Sequence, residues 1–309
     1  MNPITRRGLL IGSGALVLGG TGTATYAMMG EPFMAPRITR YALTPPNWPE
    51  GLRLKLAVVA DIHACEPWMS AERISGIAQS VNAMEADLIL LLGDYNAGHK
   101  FVTAPVMPKQ WADALSVLRA PLGVYSILGN HDWWHGPVPG MPGGAAEVRR
   151  ALEEVGIQVM ENRAVALEQA GRRFWLAGLA DQMAHNNGLR QMRGADDLGG
   201  TLKQCTTDAP ILMMAHEPYV FRRMPDRVSL TLCGHTHGGQ IYLPGIGAPW
   251  SPSRRYRYGH IIEDGRNVIV SGGLGESGVP MRLGSPPELL EIELGHSPIQ
   301  TIGLRDRFG

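Results

Sequence analysis

Apolar positions along this chain follow two different periods, and residues 54–92 show both. Residues 54–60 form a nearly continuous apolar run, which is typical of a strand that is buried on both faces. Ser70 then begins a segment with helical spacing of apolar positions, which extends to about residue 84, and residues 87–92 form a second apolar run. A strand, a helix and a strand in this order predict a right-handed βαβ unit.

The same pattern continues downstream and then changes. A helix near residues 110–119, a strand over 123–128 and a helix over 145–155 extend the parallel arrangement. After Tyr256 the pattern indicates antiparallel strands joined at Asp264-Gly265, a strong hairpin signal. The predicted fold class is therefore α/β, with two mixed β-sheets packed as a sandwich and flanked by helices. Between these parts, further strands are predicted over residues 157–160, 163–168, 172–180, 210–215 and 228–233.

Three segments lack such periodicity. Residues 31–51 are Pro-rich and aperiodic, so we expect a linker, a tether or a surface strap, in front of a single domain over residues 52–309. Two later loops, 135–144 and 240–258, are long and rich in Pro and Gly. Long loops in compact domains are often functional.

Composition narrows the classes of function. The 309 residues are 44% hydrophobic, and the 28 basic and 28 acidic residues give 28 − 28 = 0, so no nucleic-acid partner is expected. Cys65, Cys205 and Cys233 allow at most one disulfide. Buried, inert thiols are the favoured interpretation of these cysteines.

Residues 1–30 have the features of a targeting segment. Arg6 and Arg7 precede an uncharged stretch over residues 8–30, and the sequence TRRGLL around them resembles a twin-arginine export signal. The stretch reaches the length of about 20 residues that a bilayer crossing needs, so a membrane anchor is the alternative. Positive charge in front of it and none directly after it place the C-terminal body outside the cytoplasm. We expect export by the twin-arginine machinery to the periplasm, or anchoring to the inner membrane, and leave cleavage of the signal open.

Polar residues of the kinds that bind metal ions follow nearly every predicted strand. Because open α/β sheets bind ligands outside the carboxyl ends of their strands, we expect these side chains to converge. Carboxylates, an amide oxygen and imidazoles without a thiolate favour Mn, Fe or Zn. The set is too large for one ion, but a shared aspartate can bridge two ions about 3.5–4 Å apart. Its members are Asp61, His63, Asp94, Asn130, His131, Asp132, His216, His235 and His237.

These motifs resemble, in order along the chain, those of the calcineurin-like metallophosphoesterases, over about residues 52–294. The stretch GHTHGGQ at 234–240, together with the N-terminal segment, resembles a subgroup of exported or anchored phosphodiesterases. Some members of that subgroup are linked to cleavage of UDP-diacylglucosamine in lipid A synthesis. The resemblance implies the metallophosphoesterase αββα fold and two divalent ions. It also implies in-line attack of a metal hydroxide on phosphorus without a phosphoenzyme intermediate.

The resemblance also implies a role for each residue. His131 would lie near the leaving-group oxygen, as a general acid or a donor to the developing charge, and Asp132 could orient it. The chain departs from the family at Ala97, where many members have an aspartate, and this puts the support of His131 in question. Seven residues would bind the metals: Asp61, His63 and His237 the first ion, Asn130, His216 and His235 the second, and Asp94 both.

Two further features have weaker interpretations. Arg254, Arg255 and Arg257 form a basic cluster in the 240–258 loop, which could bind a second phosphate or a lipid headgroup, or be a solvated face. Glu217, directly after His216, is unusual, but the sequence assigns it no role.

The favoured function is that of a metal-dependent phosphodiesterase or pyrophosphatase acting on a cell-envelope substrate, such as a lipid headgroup or a nucleotide sugar. The alternatives are hydrolysis of UDP-2,3-diacylglucosamine, which belongs on the cytoplasmic side, and phosphomonoesterase activity. A binding module without activity is disfavoured because all seven ligand positions and His131 are present. A nuclease is disfavoured by the neutral charge.

Overall fold

The computed structural model of the chain describes residues 20–134, 144–186 and 192–295. In chain order the strands are β1 Arg37–Leu43, β2 Leu54–Val59, β3 Cys65–Glu66, β4 Leu88–Leu91, β5 Ala104–Pro105, β6 Val124–Ser126, β7 Gln158–Val159, β8 Arg163–Gln169, β9 Arg172–Gly178, β10 His185–Asn186, β11 Met192–Arg193, β12 Ile211–Met214, β13 Val228–Cys233, β14 Gly259–Glu263, β15 Arg266–Val270 and β16 Glu288–Leu294. From Ala71 onward the α-helices of the described residues are α1 Ala71–Asn82, α2 Pro108–Leu115, α3 Asn130–Trp133, α4 Ala145–Glu154 and α5 Leu198–Lys203. Short 3-10 helices are Glu31–Phe33, Pro218–Arg223 and His237–Gly239.

The first sheet is mixed, with the strand order β1-β16-β2-β4-β6-β7. Strands β2, β4, β6 and β7 run parallel, as the predicted βαβ unit requires. Strand β16 pairs antiparallel with β2 and parallel with β1. The apolar run of β2 is almost entirely buried, because its two faces pack into different clusters of the core.

The second sheet is also mixed, with the strand order β14-β15-β13-β12-β9-β8. Strands β9, β12, β13 and β15 are parallel, and antiparallel hairpins add an edge strand on each side. The β14–β15 turn is Asp264-Gly265, both with positive φ, at 51° and 78°. That conformation matches the right-handed twist of hairpin strands, which confirms the predicted hairpin.

The core lies in three layers between and outside the sheets. The two sheets face each other through side chains such as Leu56 and Leu90 of the first and Leu212, Leu232 and Ile269 of the second. Helices α1, α2 and α4 cover the outer face of the first sheet, and α5 and the 3-10 helix before β13 cover that of the second. The predicted fold class, two mixed sheets in a sandwich flanked by helices, is confirmed.

Helix α1 shows how the local sequence produces this packing. The Ser70 hydroxyl caps its first turn by accepting the N–H of Arg73 at 3.2 Å. Ile74, Ile77 and Val81 fall on one face and are buried against the sheet.

The structure corrects the expectation for residues 31–51. The aperiodic structure predicted there is wrong for Arg37–Leu43, which is edge strand β1 and pairs along its whole length with β16. Most of its residues are exposed or half-buried, and prolines flank it, so neither alternation nor an apolar run marks the strand. Its partner is the last strand of the sheet, which a local pattern cannot reveal.

Smaller differences concern element ends and short ribbons. The helix expected near residues 110–119 is Pro108–Leu115, because Pro108 at the first helical position favours an earlier start. The two-residue ribbons β3–β5 and β10–β11 are too short to give a periodic signal.

Parts of two predicted segments lie outside the described residues, namely 1–19 of the targeting segment and 135–143 of the first long loop. Residues 20–29 are helical. Over the described ranges, no helix combines the length and apolar character that a bilayer crossing requires.

Candidate metal centre

The predicted ligands meet where the strands end, in two adjacent groups. Donor atoms of Asp61, His63, Asp94 and His237 all lie within 4.8 Å of one another, and these residues are all buried; we call them the first group. The second group contains His216, Glu217 and His235 under the same limit, with the amide of Asn130 beside His235. The structure therefore brings all seven sequence-predicted ligands together.

Two imidazoles of the first group face each other. His63 Nε2 and His237 Nε2 are 3.2 Å apart, and the rings stack at a centroid distance of 5.0 Å. The Nδ1 of His63 lies 2.8 Å from the carbonyl oxygen of Asn96, and the Nδ1 of His237 lies 3.0 Å from that of Gly275. Each Nδ1 therefore donates its proton to a carbonyl, which leaves two Nε2 lone pairs directed at one point. A cation between them turns this repulsion into attraction.

The electrostatics of the first group fit a cation as well. Burial lowers the pKa of His63 to about 3, so that ring is neutral and available as a ligand. Burial also raises the pKa of Asp61 to about 7. Asp61 Oδ1 accepts the N–H of His235 at 2.8 Å, whereas its buried Oδ2 has no hydrogen-bond partner within the described structure. An orphaned carboxylate oxygen in the interior calls for a positive partner.

Asp94 lies between the two groups. Its Oδ2 is 3.5 Å from His63 Nε2 in the first group and 3.2 Å from His216 Nε2 in the second. Its Oδ1 accepts the N–H of His131 at 2.8 Å, which fixes the carboxylate. This is the position that a bridging ligand requires.

The second group is more open and differs in charge. The Nδ1 of His216 lies 2.7 Å from the carbonyl oxygen of Leu92, which leaves Nε2 for a metal. Burial alone would lower the pKa of His216, but the neighbouring Asp94 carboxylate holds it well above its ordinary value. His235 is half-buried, its Nδ1 lies 3.0 Å from Asn130 Oδ1, and its ring meets that of Tyr219 edge-on at 5.8 Å.

Glu217 gains a role that the sequence did not assign. It is fully buried, its Oε2 accepts the N–H of Gln182 at 3.2 Å, and its Oε1 has no hydrogen-bond partner in the described part of the chain. It is thus a candidate eighth ligand, or a carboxylate that balances the charge of the second group. Its position directly after His216 was the available signal.

The backbone at the site is strained where the ligands sit. Positive φ values in non-glycine residues cost about 1–3 kcal/mol each and cluster at functional sites. Gly129 is required for close approach, because a Cβ there would lie 2.3 Å from Asp94 Oδ1 and 2.6 Å from His216 Cε1. Five of the seven predicted ligands have positive φ: Asp61 at 53°, His63 at 47°, Asp94 at 57°, His235 at 71° and His237 at 53°.

Asp132 has a different set of partners from the one expected. Its carboxylate accepts the backbone N–H groups of Gly129, Asp94, Tyr95 and Asn96 at 2.8–3.2 Å. These bonds join the turn after β4 to the turn after β6, so Asp132 positions two ligand-bearing turns. Its described hydrogen bonds go to the backbone and not to the His131 ring.

The His131 ring contacts a residue that sequence reasoning missed. Its Nε2 lies 3.2 Å from Ser277 Oγ, and the ring meets that of His63 edge-on at 5.1 Å. Ser277 pairs with Gly98, directly after Ala97, where many family members carry an aspartate. That departure was the one sequence signal that another residue supports His131.

The three arginines of the predicted substrate cluster have different surroundings. Arg255 is exposed and pairs with Glu263 at 2.7 Å, and Arg254 is exposed. Arg257 is half-buried, its guanidinium lies over the ring of Tyr242, and its carbonyl accepts the hydroxyl of Thr236 at 2.5 Å. Because Thr236 stands between the two histidines of the GHTHGGQ stretch, Arg257 is the arginine of the three that is tied to the site. Substrate binding by these residues stays a prediction.

Comparisons with known proteins identify the class. The model of the calcineurin-like phosphoesterase family matches residues 54–239, more than half of the chain, so the chain belongs to this family. It is therefore a metallophosphoesterase, a hydrolase of phosphoric ester bonds.

Several curated proteins are similar along most of this chain. "Uncharacterized metallophosphoesterase YkuE" of Bacillus subtilis is 29% identical over 95% of this chain and 99% of its own length. "Phosphodiesterase YaeI" of Escherichia coli is 29% identical over 81% of this chain and 89% of its own length. A "Transmembrane protein with metallophosphoesterase domain" of Danio rerio is 28% identical over 88% of this chain but only 61% of its own length. The chain thus spans less than two thirds of that relative.

Proposed function

We propose that this chain is a two-metal phosphodiesterase that acts on a cell-envelope substrate outside the cytoplasm. The observation that carries the proposal is the pair of ligand groups sharing Asp94, with paired imidazole nitrogens and an orphaned carboxylate oxygen of Asp61. Nitrogen and oxygen donors without a thiolate suit Mn, Fe or Zn. The similarity to a protein named as a phosphodiesterase favours diesters over monoesters.

The groups of this chain would divide the work of the reaction. Two divalent ions bound there would activate a water molecule and neutralise charge on the phosphoryl group. His131 is half-buried at the edge of the first group, where it would lie near a leaving-group oxygen, and burial lowers its pKa. Either a proton or a hydrogen bond from its ring would stabilise the departing alkoxide. Arg257 would bind a second anionic group of the substrate, and charge removal there should raise KM while sparing kcat.

The N-terminal sequence supports the location. Arg6 and Arg7 precede the uncharged stretch over residues 8–30, an arrangement that favours a body outside the cytoplasm, by twin-arginine export or membrane anchoring. Lipid headgroups and nucleotide sugars are the candidate substrates for an enzyme in that location. A reporter fusion with its C-terminus in the cytoplasm would instead favour UDP-2,3-diacylglucosamine hydrolysis.

The test compares two chromogenic substrates in full-length, detergent-solubilised protein supplied with Mn²⁺. We expect bis(p-nitrophenyl) phosphate to be hydrolysed with a higher kcat/KM than p-nitrophenyl phosphate. His235→Ala should abolish the activity, whereas His260→Ala, which changes a histidine bonded to Asn267 in the β14–β15 hairpin, should retain it. A monoester preference would contradict the diesterase proposal, and a protein that binds no metal would contradict the two-metal site.

A further inference from the structure

A segment in front of the domain is built into the body of the protein. Residues 27–34, which we call the N-terminal strap, receive hydrogen bonds from two distant parts of the chain, namely the start of helix α1 with the turn before it, and the loop before β16. The indole N–H of Trp68 donates to the Met28 carbonyl at 3.0 Å, and the N–H of Arg282 donates to the Ala27 carbonyl at 2.8 Å. The Arg73 guanidinium donates to the Pro32 carbonyl at 2.6 Å. The strap is thus held along its length, although it precedes the first strand.

Glu31 is the one acidic residue of the strap, and it is buried, with 3% of its surface exposed. Its two carboxylate oxygens accept the backbone N–H groups of Gly284 and Ser285, at 2.9 and 2.6 Å. Burial of a carboxylate is costly unless it is hydrogen-bonded, and hydrogen bonds to a charged acceptor are about twice as strong as neutral ones. Glu31 therefore fixes the backbone of the turn that contains Gly284 and Ser285.

The turn that Glu31 fixes holds the metal ligand His237. Ser285 Oγ donates to the His237 carbonyl at 2.9 Å. From the same loop, the buried Arg282 donates to the Gly275 carbonyl, which is also the acceptor facing His237 Nδ1. His237 has a φ of 53°, a conformation that persists only when the surroundings impose it. Both the backbone and the ring of this ligand are thus held by the loop that the strap fixes.

We propose that Glu31 is a positioning residue for His237, so that the N-terminal strap sets the affinity of the first group for its metal ion. The chain of contacts is Glu31 to the Ser285 backbone, and Ser285 Oγ to the His237 backbone. Removal of a partner that orients a metal ligand typically lowers metal affinity by about 10–100-fold. This role rests on the part of the proposed function that assigns a metal ion to the first group. It does not depend on a preference for diesters.

The test is Mn²⁺ titration calorimetry on the full-length protein and four variants. Glu31→Ala and Ser285→Ala should each weaken the tighter Mn²⁺ site by about tenfold, and Ser285→Thr, which keeps a hydroxyl, should restore most of the affinity. Glu50→Gln, at an exposed acidic position of the same N-terminal region, serves as the matched control and should bind Mn²⁺ as the wild type does.

The outcomes separate positioning from simple stabilisation. Variants that unfold at a lower temperature but keep the wild-type Mn²⁺ affinity would overturn the proposal, because the strap would then only stabilise the fold. If Glu31→Ala does not fold, Ser285→Ala decides, since it leaves the bonds between Glu31 and the backbone intact. A wild-type protein that binds no Mn²⁺ would overturn the two-metal function as well. Wild-type Mn²⁺ affinity in Ser285→Ala would overturn the positioning role of the strap and leave the two-metal function standing.

Discussion

The two ligand groups share one aspartate but differ in burial and in protonation. In the first group every member is buried, and the histidines donate Nδ1–H to backbone carbonyls, so their Nε2 atoms are prepared for a metal. In the second group His235 is half-buried beside Tyr219, and His216 is biased towards its charged form by Asp94. A closed group suits permanent binding, whereas an open one leaves room for substrate. We therefore expect the first group to bind its ion more tightly and the second to face the substrate.

The largest effect is expected where the two groups join. Asp94→Asn keeps the shape of the side chain but removes the charge that the two groups share. It should lower kcat/KM by about 10³-fold, which corresponds to a loss of about 4 kcal/mol of transition-state stabilisation. Metal content measured by plasma mass spectrometry should fall at both groups. Asp87→Asn, at the opposite end of β4, is the matched control. Two bound metals with kcat/KM within tenfold of wild type would show that Asp94 does not bridge.

The next prediction separates the groups. His235→Ala should leave about one tightly bound metal per chain, because the first group stays complete, whereas His237→Ala should lose the tighter ion. Both variants should be nearly inactive. Equilibrium dialysis followed by metal analysis gives the stoichiometry of each. Equal loss of metal in the two variants would mean that the groups bind their ions as one cooperative unit. The expected difference in affinity between the two groups would then be wrong.

The metal ligands could be predicted from the sequence because each is a residue type that binds metal ions and lies at the end of a predicted strand. Asp61, Asp94 and His235 directly follow or shortly follow apolar runs, and parallel strands end at the same edge of a sheet. For the same reason the fold class could be predicted, since buried parallel strands are continuous apolar runs.

The features that could not be predicted depend on contacts that the type of residue does not indicate. The acceptors that orient His63, His216 and His237 are main-chain carbonyls, which every residue has. Strand β1 and Glu31 act through partners near the other end of the domain. A single sequence cannot pair such distant positions.

The difference in protonation predicts how metal binding depends on pH. A metal must displace a proton from Asp61, whose pKa burial raises to about 7, and from His216, whose pKa the Asp94 carboxylate raises above the usual range. His63 and His235, with pKa values lowered by burial to about 3, are already neutral and compete with no proton. The Mn²⁺ affinity of the first group should therefore fall as pH drops below about 7, and that of the second group as pH drops through the raised pKa of His216, by about tenfold per pH unit for each proton released.

Calorimetry in two buffers with different ionisation enthalpies counts those protons directly. At pH 6 each group should release about one proton, from Asp61 in the first and from His216 in the second. Proton release at only one of the two sites would identify the group whose ligands are already deprotonated. A pH-independent affinity with no proton release would contradict the predicted difference in protonation between the two groups.

The smallest effect is expected at the edge of the first group, where the His131 ring meets that of His63. Ser277→Ala removes the hydroxyl 3.2 Å from His131 Nε2 but no metal ligand, so metal content should stay at the wild-type value. One lost hydrogen bond of about 0.5–1.5 kcal/mol corresponds to a fall in kcat of about two- to tenfold. If His131 acts on the leaving group, as we propose, the fall should be larger for a diester with a poor leaving group than for a p-nitrophenyl diester. An equal fall for both substrates would mean that Ser277 positions the turn and not the ring of His131.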